Sequence, residues 1–308
     1  ILLISTAAFG ADRTELESEL DPGYRTRNLV PLFRDMGEAK DLPMSVEPYV
    51  AHVKGGVLTL PANGKADAVA TVDDAIVVLS GGQLYRLNEN DRWKAVAMKE
   101  HAVKNAALSQ LSPRAKLFAL TTGSNSDDSV STFTHKDLGK VNDVVTLQGE
   151  QWVASDDGLF SRLPGEDLQR YNSYGVDGPL ATKITALAAD GKGNLWVGTP
   201  IGLSVRSAKK QWRSLQGRDG LPYEDVTSIA VDQDNNLWIG TGKGVVHYRP
   251  ESEGRQWFYR AGPRYLPHDQ IRSLALSSDG RALYAATPAG VGIIEIINKT
   301  LRQKADAI

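Results

Sequence analysis

The stretch VTSIAVDQDNNLWIGTGKGVVHYR, residues 226–249, decides the fold because the chain repeats it. The same pattern recurs in ITALAADGKGNLWVGTPIGLSVRS, residues 184–207, and in IRSLALSSDGRALYAATPAGVGIIEI, residues 271–296. Trp196, Trp238 and Tyr284 occupy equivalent positions, so the repeat lengths are 42 and 46 residues. Repeats of roughly 40 to 50 residues with several short strands are typical of propeller blades. The sequence therefore predicts an all-β fold, a single β-propeller of four-stranded antiparallel blades.

Weaker copies of the repeat lie upstream. Residues 143–162 follow the same plan around Trp152, and residues 117–120 and 76–79 have the apolar character of the Trp-containing strand. The sequence therefore predicts six blades, or seven if residues 28–60 form a blade of their own. The last repeat lacks an outer strand. We expect an N-terminal strand at residues 57–60 to supply it and to close the ring, which would remove open sheet edges.

The chain opens with an apolar stretch that ends in small residues, at residues 1–11. This pattern indicates the end of a secretory signal peptide, and a short buried strand is the alternative. We assign residues 1–27 to a signal-peptide remnant and linker, residues 28–297 to the propeller, and residues 298–308 to the start of a helix that leads into a further C-terminal region. The expected location is extracytoplasmic, either periplasmic, secreted or in an ectodomain.

Composition argues against several functional classes. The 308 residues include 35 basic and 37 acidic side chains with a formal net charge of -2, interspersed along the chain, so no field of one sign attracts nucleic acid. Cysteine is absent, which removes disulfides, thiolate zinc sites and cysteine nucleophiles. The phosphate-loop, dinucleotide, zinc-protease and serine-hydrolase signatures are also absent. We predict no cofactor, no metal, no catalytic residue, no nucleic-acid partner and no membrane segment in this chain.

Two stretches carry a resemblance to a known family. Residues 219–230 read DGLPYEDVTSIA, and residues 231–241 continue as VDQDNNLWIGT. Together they resemble the two-component regulator propeller repeats of bacterial extracellular sensor regions, and looser matches cover residues 140–297. The resemblance implies a propeller with an extracytoplasmic sensing or scaffolding role. It also implies carbohydrate or another protein domain as the partner.

Any ligand site is expected on the loops at one mouth of the propeller. With the strands of a blade named A to D from the inside outward, the D–A loops at residues 174–183, 216–225 and 260–270 share this rim with the B–C turns. Six side chains in these loops are able to stack on or hydrogen-bond a sugar or an acid. They are Arg218, Tyr223, Glu224, Arg264, Tyr265 and His268.

Three alternatives remain open on sequence grounds. His268 beside Asp269, with Tyr265 and Arg264 near, resembles the acid–base set of a polysaccharide or antibiotic lyase. The propeller also suits a structural docking platform for a C-terminal domain. Residues 232–236 offer oxygens for calcium but are better explained as a capped hairpin turn, and the repeated Trp residues are better explained as core than as sugar platforms.

Overall fold

The computed structural model describes residues 49–58, 60, 64–88, 92–96, 110–121, 133, 135–262 and 265–297. The chain divides into two compact units, residues 52–294 and a smaller unit of residues 1–51 and 295–308. The described part of the smaller unit is limited to residues 49–51 and 295–297, at the ends of two strands. The predicted boundary at residue 27 and the predicted helix at residues 298–308 lie outside the described residues.

The described residues form five four-stranded sheets, and we number these blades in chain order. The first holds β2 (Ala68–Val72), β3 (Ala75–Ser80), β4 (Gln83–Leu87) and β5 (Trp93–Val96). The second holds β6 (Val141–Leu147), β7 (Glu150–Ser155), β8 (Gly158–Arg162) and β9 (Gln169–Arg170). The third holds β10 (Ala186–Ala189), β11 (Leu195–Thr199), β12 (Gly202–Arg206) and β13 (Trp212–Leu215), and the fourth holds β14 (Val226–Val231), β15 (Leu237–Thr241), β16 (Gly244–Tyr248) and β17 (Trp257–Arg260).

The fifth blade combines sequence-distant strands. It contains β18 (Ser273–Leu276), β19 (Ala282–Thr287) and β20 (Gly290–Ile297), and the sheet order places β1 (Tyr49–Leu58) beside β20. The strand predicted at residues 57–60 is therefore longer and begins earlier, at Tyr49. Closure of the ring by this strand stays a prediction.

The expected count of six or seven blades is wrong, because residues 117–120 are helical. Helix α1 (Pro113–Thr121) contacts β2 on one side and β6 on the other, where a blade was expected. Pro113 suits a first helical position, and the Ser112 hydroxyl accepts a hydrogen bond from the Ala115 amide at 3.2 Å. Every second residue from Ala115 to Ala119 is buried, which is the spacing expected of a strand. This spacing arises because α1 packs against two neighbouring strands, β2 and β6. This spacing explains why the sequence pattern was misleading.

The inner strands form a closed circle of neighbours with α1. In order, the circle runs β2, α1, β6, β10, β14, β18 and back to β2. Just ahead of the helix, Leu111 forms an isolated parallel β-bridge with Val141, and the Ser112 hydroxyl donates to the Asn142 carbonyl at 2.7 Å. These bonds join the start of α1 to the start of β6.

The repeated aromatic residues belong to the core, as predicted. Trp152, Trp196 and Trp238 are 2%, 4% and 0% exposed. Trp196 donates its indole N–H to the Asp190 carboxylate at 2.9 Å. The equivalent indole N–H of Trp238 has no hydrogen-bond partner, and its ring instead stacks on the buried His247 imidazole with centroids 4.0 Å apart.

In the third and fourth blades, the glycine two residues after the Trp makes room for the next blade. A Cβ at Gly198 would lie 2.5 Å from a methyl carbon of Val226, and one at Gly240 would lie 2.6 Å from a methyl carbon of Ile271. Val226 is the first residue of β14, and Ile271 lies two residues before β18. Both therefore stand at the start of the inner strand of the following blade. The space that each glycine leaves is filled by a side chain of the neighbouring blade.

Polar residues at the start of the inner segments connect each blade to the next. The Asn142 amide donates to the Ile184 carbonyl at 2.9 Å, and the Thr227 hydroxyl donates to the Ile271 carbonyl at 2.8 Å. Thr185 makes the same bond to the Val226 carbonyl. These bonds lie at the end of the inner strands where the D–A loops enter, so they fix the mouth of the propeller on which the rim loops sit.

Candidate functional site

The B–C turns of the rim are held by the Thr of the repeat. The Thr241 hydroxyl donates to the Gly244 carbonyl at 3.0 Å and accepts from the Lys243 amide at 3.1 Å. Gly244 has φ of 141°, and a Cβ there would lie 2.3 Å from the Arg260 carbonyl oxygen, so only glycine fits. The turn therefore presents the Lys243 side chain from a rigid backbone.

Tyr223, Lys243 and Tyr259 form an aromatic–cationic cluster on the rim of the fourth blade. The Tyr223 and Tyr259 rings are 5.0 Å apart between centroids and tilted by 50°. The Lys243 ammonium lies 5.1 Å from the Tyr223 ring centroid, within the range of cation–π attraction. The Tyr259 hydroxyl donates to the Lys243 carbonyl. Three separate segments thus converge on two fixed aromatic rings.

Two carboxylates border this cluster and affect its protonation. Partial burial raises the pKa of Tyr259 above its ordinary value, and the neighbouring Tyr223 and the carboxylates of Asp269 and Asp225 raise it further. The Tyr259 phenol is therefore a neutral donor. Asp225 also accepts a hydrogen bond from the Gly242 amide at 2.8 Å, which ties the D–A loop to the B–C turn.

Arg218 and Glu224 occupy the short helical turn Gly217–Asp219 and the loop after it. Glu224 accepts a hydrogen bond from the Gly217 amide at 2.8 Å, so its carboxylate shapes the loop. Arg218 is 79% exposed and lies 3.7 Å from the Asp219 carboxylate. Leu221 is 2% exposed and packs in the core cluster shared by the third and fourth blades, so it anchors the loop between them.

The remaining predicted residues lie in the loop between the fourth and fifth blades. The Arg260 guanidinium lies 5.7 Å from the ring centroid of Tyr265. His268 is exposed, and its Nδ1 accepts a hydrogen bond from the Gln270 amide at 3.0 Å. Asp269 accepts from the Gly262 amide, so the adjacent His268 and Asp269 each bond the loop backbone. Arg264 lies outside the described residues.

Sequence reasoning missed two members of the rim cluster. Lys243 was passed over because its turn was treated only as a glycine turn, and Tyr259 because it ends an outer strand. The available signal was the aromatic run Trp257, Phe258, Tyr259, because successive side chains of a strand point to opposite faces. In the structure Phe258 is buried and Tyr259 is half-buried. The described contacts link Tyr223 with Lys243 and Tyr259, two residues outside the predicted set.

The acidic turn at residues 232–236 caps itself. One oxygen of Asp232 accepts from the amides of Asp234 and Asn236 at 3.0 and 2.9 Å, and the other accepts from the Asn236 side chain at 3.2 Å. The Asp190 turn in the third blade has the same pattern. Across the described residues, no group of three or more His, Asp or Glu side chains could hold a metal ion.

A second polar site lies inside the circle of inner strands. The Arg114 guanidinium on α1 donates to the Asp143 carboxylate at 2.6 Å and to the Thr227 carbonyl at 3.1 Å, on the far side of β10. Asp143 also accepts from the amides of Leu187 and Val144 at 2.7 and 3.0 Å. Burial raises the pKa of Asp143, and the Arg114 charge and these amides oppose the rise. Neither residue was predicted, because α1 was expected to be a strand.

A model of the two-component regulator propeller family matches residues 178–200 and 220–243. The chain carries two-component regulator propeller repeats. Both matched segments begin in a D–A loop and end in the B–C turn, so they span the loop anchor, the inner strand and the Trp-containing strand. The resemblance inferred from the sequence is confirmed.

Several solved structures are similar to the chain at low sequence identity. A gluconolactonase from Xanthomonas campestris has a TM-score of 0.53 and 13% identity, with 82% of this chain and 95% of that chain covered. The extracellular domain of a hybrid two-component system from B. thetaiotaomicron has a TM-score of 0.42 and 12% identity, with 75% of this chain covered. This chain spans 27% of the length of that domain.

A third solved structure is PorZ, a surface component of the type-IX secretion system of Porphyromonas gingivalis. It has a TM-score of 0.44 and 19% identity, with 75% of this chain and 38% of that chain covered. No curated protein sequence matches the chain. Among the described helices, none is long and apolar enough to cross a membrane.

Proposed function

We propose that this chain is an extracytoplasmic recognition domain that binds carbohydrate through the rim of its fourth and fifth blades. The observation that carries the proposal is the cluster of Tyr223, Lys243 and Tyr259, in which two rings are held in place by separate segments. Aromatic faces stack on sugar rings, and neighbouring ammonium, carboxylate and phenol groups orient hydroxyls by hydrogen bonding. The family of the repeats and the apolar start of the chain support an extracytoplasmic location.

The rigidity of the cluster favours binding over a purely structural role. Tyr259 is fixed by its bond to the Lys243 carbonyl, and the Lys243 backbone is fixed by Thr241. A fixed ring loses little side-chain entropy when a ligand is bound, because the ordering cost has already been met in the free protein. Arg218, exposed on the adjacent loop, and His268, exposed on the next, extend the same polar surface.

The test is a glycan array followed by calorimetry with any oligosaccharide that binds the purified chain. We expect Tyr223→Ala to weaken binding about two- to tenfold, since an aromatic contact contributes roughly 0.5–1.5 kcal/mol. Lys210→Ala, in a third-blade turn exposed to solvent, is the matched control and should leave the affinity unchanged. Retained affinity in Tyr223→Ala and Lys243→Ala would refute the rim assignment. Binding of a protein partner but no glycan would replace carbohydrate by the docking function.

A further inference from the structure

A cavity of about 440 Å³ lies between α1 and the inner strands β2 and β18. This volume is within the range of small-molecule sites, roughly 300–1,000 Å³. We propose that the cavity binds a small uncharged molecule with an apolar body and a hydroxyl or primary amide at one end. None of its lining residues belongs to the cluster of Tyr223, Lys243 and Tyr259, and the cavity lies in the sector where a helix stands in place of a blade.

The body of the ligand is defined by the walls of the cavity. Most lining side chains from α1 and the two strands are apolar, and they are Val69, Ala70, Val72, Leu117, Phe118, Leu274, Ala275 and Leu276. The inner strands of the third and fourth blades contribute no lining residue. An apolar group that enters this space is removed from water, which favours its binding.

The polar lining residues other than Arg114 and Asp143 have their hydroxyl protons engaged. The Ser273 hydroxyl donates to the Val69 carbonyl at 3.0 Å, and the Thr121 hydroxyl to the Leu117 carbonyl at 2.8 Å. Thr71 donates to the Leu276 carbonyl. Among the lining side chains, Arg114 is therefore the donor with N–H groups to spare, and Asp143 beside it is the charged acceptor.

Counting hydrogen-bond groups defines what this pair is able to recognise. Arg114 uses two of its five N–H groups, on Asp143 and on the Thr227 carbonyl. Asp143 accepts three hydrogen bonds, which leaves one of about four acceptor positions. A hydroxyl or primary amide accepts a hydrogen bond from an unused Arg114 N–H and donates one to the remaining acceptor position of Asp143. It therefore satisfies both residues at once.

The charges of the cavity favour an uncharged ligand. Arg114 and Asp143 are the two charged residues among the lining residues, and they neutralise each other at 2.6 Å. A carboxylate would meet the Asp143 charge, and an ammonium would meet the Arg114 charge, each in a site where water screens poorly. A neutral group avoids both costs.

The experiment measures binding of three probes by isothermal titration calorimetry. They are 4-propylphenol, 4-propylbenzoate and 4-propylbenzylamine, which share one apolar body and differ in charge. We expect the full chain to bind the phenol at least about tenfold more tightly than either charged probe. Equal affinity for the three probes, or no binding of the phenol, would overturn the proposal.

Two variants locate the binding. Ala70→Leu fills the cavity from β2, whereas Ala230→Leu makes the same change at the same place in the fourth blade, since Ala70 pairs with Val77 and Ala230 with Trp238. We expect Ala70→Leu to abolish binding of 4-propylphenol and Ala230→Leu to keep it, with circular dichroism and melting temperature reporting the fold of each. Equal effects of the two variants would place the phenol elsewhere.

A charge variant keeps the proposal testable if Ala70→Leu does not fold. Asp143→Asn leaves the Arg114 charge without its carboxylate partner. We expect this variant to bind 4-propylbenzoate more tightly than the unmodified chain does, by about tenfold, and to lose any preference for the phenol over the benzoate. An unchanged order of the three probes in a folded Asp143→Asn chain would refute the assignment of the polar end.

Discussion

The contact between Gly240 and Ile271 gives a prediction about stability whose size follows from the structure. In Gly240→Ala, the new Cβ would lie 2.6 Å from one Ile271 methyl carbon and 3.1 Å from its Cβ, so the fourth and fifth blades must move apart. Overpacking of this kind costs typically about 1–3 kcal/mol. The second and third blades already place Ala154 and Ile184 in one core cluster, which shows that such a junction accommodates a methyl group. We therefore expect about 1–2 kcal/mol.

A double-mutant cycle separates the clash from other effects. Ile271 is 1% exposed, so Ile271→Ala alone should cost about 2–5 kcal/mol. The double variant removes the crowded atoms of Ile271 and has alanine at both positions. The junction of the fifth and first blades already has two alanines in these places, Ala286 and Ala66, which share one core cluster. We expect the double variant to be about 1 kcal/mol more stable than the sum of the single changes predicts.

The assay is urea unfolding followed by tryptophan fluorescence. Gly254→Ala is the matched control, because no atom lies within 4 Å of its added Cβ and its φ is not in the left-handed region. We expect that variant to be unchanged or slightly more stable. Strict additivity of Gly240→Ala and Ile271→Ala would refute the reasoning, since it would mean that the two positions do not press on each other.

Two further predictions concern hydrogen bonds within and between the blades. Trp196→Phe should lower the free energy of unfolding in urea by about 1 kcal/mol more than Trp238→Phe does. The reason is that, of these two indole N–H groups, the one of Trp196 has a hydrogen-bond partner and the one of Trp238 has none; equal losses would contradict this. Burial acts to raise the pKa of Asp156, but Asn142 and Lys183 outweigh it and lower the pKa below the ordinary 3.8. Its contribution to stability is therefore present above about pH 4 and is lost as the pH falls through the lowered pKa, so the difference from Asp156→Asn should vanish in acid. A difference that persists at pH 2 would exclude this charge effect.

The sequence was sufficient to predict the blades whose repeat is intact. The Trp-containing strand, its following Gly and Thr, and the capped acidic turn recur at fixed spacing, and each has a local physical role that the structure confirms. The helix at Pro113 could not be predicted in this way. Its flanking by two sheets gives α1 a strand-like burial pattern, and the only opposing signals were Ser112 and Pro113 at its start.

The candidate sites were harder to predict because they depend on residues that come together only in the fold. Tyr223 was found because it lies in a D–A loop, whereas its neighbours Lys243 and Tyr259 come from segments 20 and 36 residues later. Arg114 and Asp143 are 29 residues apart, and their meeting depends on a helix that sequence reasoning took for a strand. Spacing along the chain carried no information about either contact.

The blade junctions have a consequence for engineering this scaffold by repeat exchange. A segment cut at the borders of one sheet would carry Gly198 without Val226, the side chain that fills the space beside it. The transferable module therefore straddles two sheets, from the second strand of one blade through the first strand of the next. Chimeras joined inside a sheet, between its first and second strands, should keep each such glycine with its matching side chain and tolerate exchange better than chimeras joined in the rim loops. The Thr185 bond is less sensitive to the junction, because its acceptor is a backbone carbonyl that any exchanged segment supplies.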